Sequence, residues 1–322
     1  MKRGRLLLLM MICSCCIQQV QAQWDAPVAL YWRVKGHYNP AFTGGGEEMD
    51  ASSLYRYQWA GIRHAPRRVI LTGKMPVDFL HRRHGVGVTA YSVTAGTLRN
   101  NLLAAQYSYL LPTRNGNLQI GLQAGILNLS FDEGSARISS DETSGGVPSY
   151  IADGVKRQLP DLGGGIAWQS RNGYAGLSLL HLNKPRFYTL NDTLDLSSDS
   201  LRSVIPRTFH FMAGYNIRLF HPLIIEPMVW VQSGNGSTQL QTTLRTEVGS
   251  RFSGGVSWRS DDGYGFFVGT ILEGMEIGYA YDRHTRGMGK ASRGSHELSL
   301  RYRFPAGQLQ PQRQSQKSIR LL

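Results

Sequence analysis

Apolar and polar residues alternate singly along much of this chain, most plainly in the last such stretch. From His296 to Phe304, Leu298, Leu300, Tyr302 and Phe304 interleave with Glu297, Ser299, Arg301 and Arg303. A period of two means a β-strand with two unlike faces. In water the apolar face packs on a core; in a membrane barrel it meets lipid while the charged face meets the lumen. The alternation alone leaves both readings open.

Other stretches repeat the pattern with a polar face reduced to small or neutral groups. Leu118, Ile120, Leu122, Ala124 and Ile126 alternate with Gln119, Gly121, Gln123 and Gly125. Phe209, Phe211, Ala213, Tyr215, Ile217 and Leu219 alternate with His210, Met212, Gly214, Asn216 and Arg218. Such a face suits a crowded or partly wet interior better than a dry core, where unpaired polar groups are costly.

Turn signals separate the strands. Arg114-Asn-Gly116, Arg171-Asn-Gly173 and Asp261-Asp-Gly263 read as hairpins, because Asn-Gly and Asp-Gly tolerate the positive φ of type I′ turns. A weak repeat, Trp168 to Tyr174 against Trp258 to Tyr264, sets an aromatic on both sides of a tight turn. Girdle positions at a membrane interface are favoured over simple cross-strand pairing.

Strands are expected near 54–62, 66–73, 85–93, 101–111, 117–129, 161–170, 174–182, 208–220, 223–232, 238–246, 250–259, 264–272, 275–282 and 295–304. About fourteen antiparallel strands is an even number, as a bacterial single-chain barrel needs for both termini to lie on the periplasmic side. Connections after strands four, six, eight and twelve are short, as periplasmic turns should be. The long polar ones, about 131–160, 183–207 and 283–294, follow odd strands and would face outward. A soluble sandwich has no reason to keep that parity. The expected fold is therefore all-β, a single transmembrane outer-membrane β-barrel. No helix-period stretch of useful length appears.

The amino terminus places the chain in a compartment. Residues 1–22 open with Lys2, Arg3 and Arg5, continue in an apolar run from Leu6 to about Ile17, and end on Ala22, which is the form of a signal peptide. The apolar run is too short to be read as a spanning helix. A lipoprotein signal cleaved before Cys15 is the alternative. Cleavage after Ala22 removes Cys13, Cys15 and Cys16, so the mature form has no disulfide, thiolate metal site or cysteine nucleophile. It also lowers the formal charge from +13 to +10. Residues 23–304 then form the barrel with its N-terminal segment. Residues 305–322 are Gln-rich, basic and broken by Pro305 and Pro311, so a flexible periplasmic tail is expected. Export makes nucleic acid an unsuitable partner for the positive charge; outer-membrane lipid, polysaccharide or acidic protein fits better.

Catalytic signatures are thin. There is no Gly-x-Ser-x-Gly elbow, His-Glu-x-x-His pair or phosphate loop. His81-Arg-Arg-His84 reads as a solvated basic turn before a metal or phosphate site. Asp282-Arg283-His284 and His296-Glu297 bracket one loop that also holds Ser292 and Ser295, yet no independent constraint assembles them into a site. Glu47-Glu48 and Asp261-Asp262 read as loop charges, and Gly44-Gly-Gly46 and Gly163-Gly-Gly165 as places where backbone packs closely. No enzyme, cofactor or metal is expected.

Tyr38-Asn-Pro-Ala-Phe-Thr-Gly44 resembles the Asn-Pro-Ala-x-x-Gly motif of the PorP/SprF family of type IX secretion system membrane proteins. The likeness continues through Tyr57-Gln-Trp-Ala-Gly61, Gly85-Val-Gly87, Tyr107-Ser-Tyr109 and Gly176-Leu-Ser178 with His181. It closes on Gly278-Tyr-Ala-Tyr-Asp282 and Gly294-Ser-His-Glu297. The resemblance marks Asn39, Pro40, Ala41, Gly44, Trp59, Tyr281, Asp282, His296 and Glu297 as motif positions without assigning them roles. It implies an outer-membrane barrel that anchors periplasmic ring lipoproteins, or supports export and surface attachment of sorting-domain proteins, such as the adhesins of gliding bacteria. A passive channel or transporter for small solutes is the alternative. In residue terms, Pro40 stiffens a turn and Asn39 can bond its own backbone, so a plug-like bend at the barrel entrance is expected.

Overall fold

The computed structural model describes residues 27–46, 48–131, 156–186, 204–249, 251–260 and 262–304. The signal-peptide and tail expectations fall outside these residues. So do most of the long connections at 131–160 and 183–207.

The chain forms one antiparallel sheet closed on itself. Its strands are β1 (Met49–Tyr57), β2 (Arg67–Phe79), β3 (Arg82–Ala95), β4 (Leu98–Thr113), β5 (Gly116–Phe131), β6 (Lys156–Gln169), β7 (Gly173–Leu180), β8 (Thr208–Tyr215) and β9 (Ile217–Phe220). They continue as β10 (Leu223–Gly234), β11 (Ser237–Val248), β12 (Phe252–Arg259), β13 (Gly263–Leu272), β14 (Met275–His284) and β15 (Ser295–Phe304). β8 and β9 both pair with β10 and are one strand interrupted at Asn216, so the barrel has fourteen strands. β15 closes the ring on β1, with Met49 opposite Phe304 and Tyr57 opposite His296.

Every expected strand is present. The first is displaced: it was expected near 54–62 and runs from Met49 to Tyr57. Its polarity is masked because Leu54 points inward against lumenal residues, fully buried, beside inward Asp50, Ser52 and Arg56. Trp59, at φ 56°, lies past its end. β6 begins at Lys156, inside what reads as a loop from sequence.

The polarity of the wall is inverted relative to a soluble protein. On β15, Leu298 and Leu300 are 46% and 39% exposed while Glu297 and Ser299 are 1% exposed. On β5, Ile120, Leu122 and Ile126 face out while Gln119 and Gln123 are buried inside. Apolar residues outside and polar residues inside are what a lipid-facing barrel requires, and the soluble-sandwich reading fails here. No helix among the described residues is long and apolar enough to cross a membrane; the strands do so instead.

The two rims differ. At the terminal rim, where Met49 and Phe304 lie, the connections are tight, as at Leu80–His81, His221–Pro222 and Glu273–Gly274. The long connections all leave the distal rim, with the expected parity. The type I′ expectation was misplaced: positive φ at both central residues occurs at Leu80–His81, Asn235–Gly236 and Glu273–Gly274, but not at Asn115 or Asn172. Trp168, Trp258 and Tyr264 face outward near the rims, as girdle residues should. Tyr174 does not, because its ring turns into the lumen beneath the ammonium of Lys35.

The lumen is filled. Residues 27–46 enter it as three short turns, η1 (Tyr31–Val34), α1 (Lys35–Tyr38) and η2 (Pro40–Gly44), and most of them are buried. They are too short to leave a helical period in the sequence. Tyr31 stacks on Trp230 with centroids 5.2 Å apart, Tyr38 tilts against the same indole, and Trp32 meets Phe267. The small inward groups that suggest a wet interior instead make room for this plug.

Candidate functional site

The motif around Asn39 is held by a local turn and a groove. Pro40 occupies the first turn of η2, and the Asn39 carboxamide oxygen accepts the Ala41 N–H at 2.9 Å, as an Asx turn does. Its amide nitrogen donates to the carbonyls of Ile166 and Leu177, both at 3.1 Å, bridging β6 and β7. The groove is lined by glycine. A Cβ on Gly121 would stand 2.2 Å from the Ala41 nitrogen, one on Gly165 2.2 Å from Asn39 Oδ1, and one on Gly85 2.3 Å from the Gly44 Cα. No real Cβ tolerates such contacts, so the plug backbone lies where wall side chains would be. Ser178 and Ser108 donate to the carbonyls of Tyr38 and Ala41 at 2.6 and 3.0 Å, and Gln106 donates to that of Gly36 at 2.7 Å. Three buried carbonyls of the plug are thereby satisfied by wall side chains, as burial demands.

A second hold lies toward the distal rim. Glu297, 1% exposed, accepts the N–H groups of Ala29 and Leu30 at 2.6 and 2.9 Å. Its charge is met by Arg56, which also donates to Asp282 at 2.7 Å. Arg259 reaches Asp282 at 3.4 Å and Asp262 at 2.7 Å, and bonds Gln241, whose amide donates to the Ala29 carbonyl at 3.1 Å. Buried charges persist only when paired and hydrogen-bonded, and this chain of ions meets that condition across β1, β12, β14 and β15.

The same cluster contains a serine–histidine–aspartate relay. His284 Nε2 lies 2.6 Å from Ser295 Oγ, and its Nδ1 lies 2.5 Å from Asp262 Oδ1. Burial alone would push the Asp262 carboxyl up, but the His284 hydrogen bond and the Arg259 charge outweigh it and hold the group below the usual carboxylate range. The spacing matches nucleophilic catalysis, yet the surroundings do not. Ser295 is 1% exposed, its Oγ already accepts the Trp59 N–H at 3.0 Å, and neither Ser295 nor His284 lines a described cavity. The relay ties the connection after β1 to β15 and to the β12–β13 turn.

A cavity of about 470 Å³ opens on the opposite side of the plug, toward the terminal rim. Arg33, Lys35, Lys74, Arg301 and Arg303 line it, with Glu48 and Asp50. Lys74 also donates to the Gly45 carbonyl at 2.6 Å, pinning the end of the motif. Lys35 Nζ lies 3.8 Å above the Tyr174 ring centroid, a cation–π contact.

The structure thus divides the motif residues among three groups. Asn39, Pro40, Ala41 and Gly44 are plug residues in the glycine groove. Asp282 and Glu297 are inward ions of the distal hold, and Trp59 lies over His284 at its edge. Tyr281 and His296 point the other way, their rings 5.4 Å apart, with Tyr281 donating to the Arg293 carbonyl at 3.2 Å. Sequence reasoning missed Arg56 and Arg259, which lie in ordinary strands and show their importance only once the barrel closes. His84 bonds Tyr107 and the Phe79 carbonyl, and no group of three or more metal-ligating side chains is present among the described residues.

A closed, inside-out antiparallel barrel filled by its own N-terminal segment defines an integral membrane β-barrel protein. The sequence matches the family model for the type IX secretion system membrane protein PorP/SprF over residues 20–302, and the chain belongs to that family. No curated protein matches it. Among solved structures, it is similar to the Ralstonia pickettii toluene transporter TbuX at 12% identity, covering 85% of this chain and 94% of that one, with a TM-score of 0.46. A Pseudomonas aeruginosa FadL homologue is 12% identical over 83% and 93% of the two chains, with a TM-score of 0.44. Likenesses this distant say nothing about what this barrel binds or passes.

Proposed function

We propose that this chain is a non-catalytic outer-membrane component of the type IX secretion system, with its terminal rim in the periplasm. There it anchors periplasmic subunits of the machine, ring lipoproteins among them, and supports export and surface attachment of sorting-domain cargo. Family membership supplies the system. The observation that carries the role is the filled lumen, with plug and wall joined by Glu297, Asn39, Ser108 and Ser178. A barrel so filled offers its neighbours two rigid rims rather than a passage. The distal rim, with the long connections, is the one that would meet cargo outside the cell.

Deletion of the gene tests the reading. Surface display of a sorting-domain reporter is expected to fail and to return on complementation. Normal display in a background with no second copy of the family overturns it. In planar bilayers the purified protein is expected to be silent; a steady ohmic conductance would favour a solute channel instead.

A further inference from the structure

We infer that the cationic cavity at the terminal rim is a binding site for an acidic peptide segment, whose carboxylates it takes between Lys35, Arg301 and Arg303. The inference deepens the anchoring role by naming the chemistry of one periplasmic contact, and its orientation rests on that reading.

Among the described residues of the cavity, cations outnumber carboxylates. Asp50 is shared by Lys74 at 3.4 Å and Arg301 at 2.8 Å, and Glu276 behind them is shared by Arg33 and Arg303. With Glu48 at the mouth, the described residues set five basic side chains against three carboxylates. Among the described residues Lys35 forms no ion pair; it rests on the rings of Tyr174 and Phe42, with Glu226 acting on it only at longer range. A half-buried cation seated on rings is attracted to an anion placed beside it, more strongly in a lumen than in bulk water.

The shape favours a peptide over a single small ion. A second cavity of about 210 Å³ adjoins the first, sharing Gly46 and Gln169, and is lined by Arg83 and Arg171. Two neighbouring cationic compartments suit several carboxylates carried on one extended segment. The chain's own tail is a poor occupant: after Phe304 it bears Arg313, Lys317 and Arg320 and no aspartate or glutamate.

The test uses the full mature protein in detergent and a fluorescent peptide of alternating glutamate and glycine, measured by anisotropy against its glutamine counterpart. The acidic peptide is expected to bind at least tenfold more tightly, and less tightly as salt rises. Lys35→Met and Arg303→Gln are each expected to weaken it at least fivefold. Arg251→Gln, at a terminal-rim turn away from the cavity, should leave it unchanged. Arg303 is half exposed, so its variant remains informative if Lys35→Met disturbs the plug. Equal binding of both peptides overturns the proposal. So does an equal loss in Arg251→Gln, or full displacement by millimolar inorganic phosphate, which would mark a small-anion site. Binding is read on the purified chain and secretion in cells, so this proposal and the secretion role fail separately.

Discussion

Asn39 Oδ1 lies 2.2 Å from the point at which a Cβ on Gly165 would stand. A motif residue and a wall glycine 126 positions apart in sequence are therefore one structural feature, and Gly121 and Gly85 extend it along η2. Gly121→Val forces a side chain onto the Ala41 backbone, where no flexible group can move aside. Overpacking of this kind costs about 1–3 kcal/mol, less than a fourteen-strand ladder gains, so the barrel should assemble with its plug displaced. Hydrogen exchange over residues 39–45 is expected to rise, and the bilayer silence of the parent to give way to conductance. Gly164→Ala, whose nearest contacts are at 3.6 Å, should do neither.

The wall was legible in the sequence because a lipid-facing strand must alternate, and Leu298 to Phe304 or Leu118 to Ile126 carry that alternation without interruption. Strand β1 was misplaced because its inward Leu54 serves the plug rather than the membrane. The plug's bend at Asn39-Pro40 was legible for a local reason, the Asx turn. Its partners were not, since Glu297 bonds Ala29 across 268 positions and closure of the ring alone brings them together. The relay of Asp262, His284 and Ser295 shows the same limit. The loop residues that suggest it in sequence include Asp282, which the fold commits to Arg56 instead.

Glu297→Ala removes the acceptor for two plug amides and strands Arg56 beside Asp282 alone. Breaking a buried ion pair from one side costs about 3–5 kcal/mol. The amides of Ala29 and Leu30 are expected to lose protection first, and the urea midpoint of the barrel to fall. Unchanged exchange at these two amides would mean that the plug is held elsewhere.

Ser295 should be inert as a nucleophile. Its Oγ accepts from Trp59 and bonds His284, and it is too deeply enclosed for a substrate carbonyl to reach. A fluorophosphonate probe is expected to leave the folded protein unlabelled, and Ser295→Ala to lower thermal stability by about 1 kcal/mol through loss of a buried hydrogen bond. Stoichiometric labelling that disappears in both Ser295→Ala and His284→Ala would establish an acyl-transfer site and overturn the non-catalytic reading.

The outward face can be tested by position along a strand. Leu122 is 62% exposed near the middle of β5, while Leu80 is 74% exposed in a terminal-rim turn. In water the two sites are equivalent, and arginine at either would cost almost nothing. In a bilayer they differ, because arginine at the midplane of a barrel's lipid face costs about 2–4 kcal/mol and near the interface about 0–1. Leu122→Arg is therefore expected to lower unfolding free energy in lipid vesicles by that larger amount, and Leu80→Arg to leave it close to the parent. Equal, small effects would show that this apolar band does not lie in hydrocarbon, and would return β15 and its neighbours to the soluble reading that alternation alone permits.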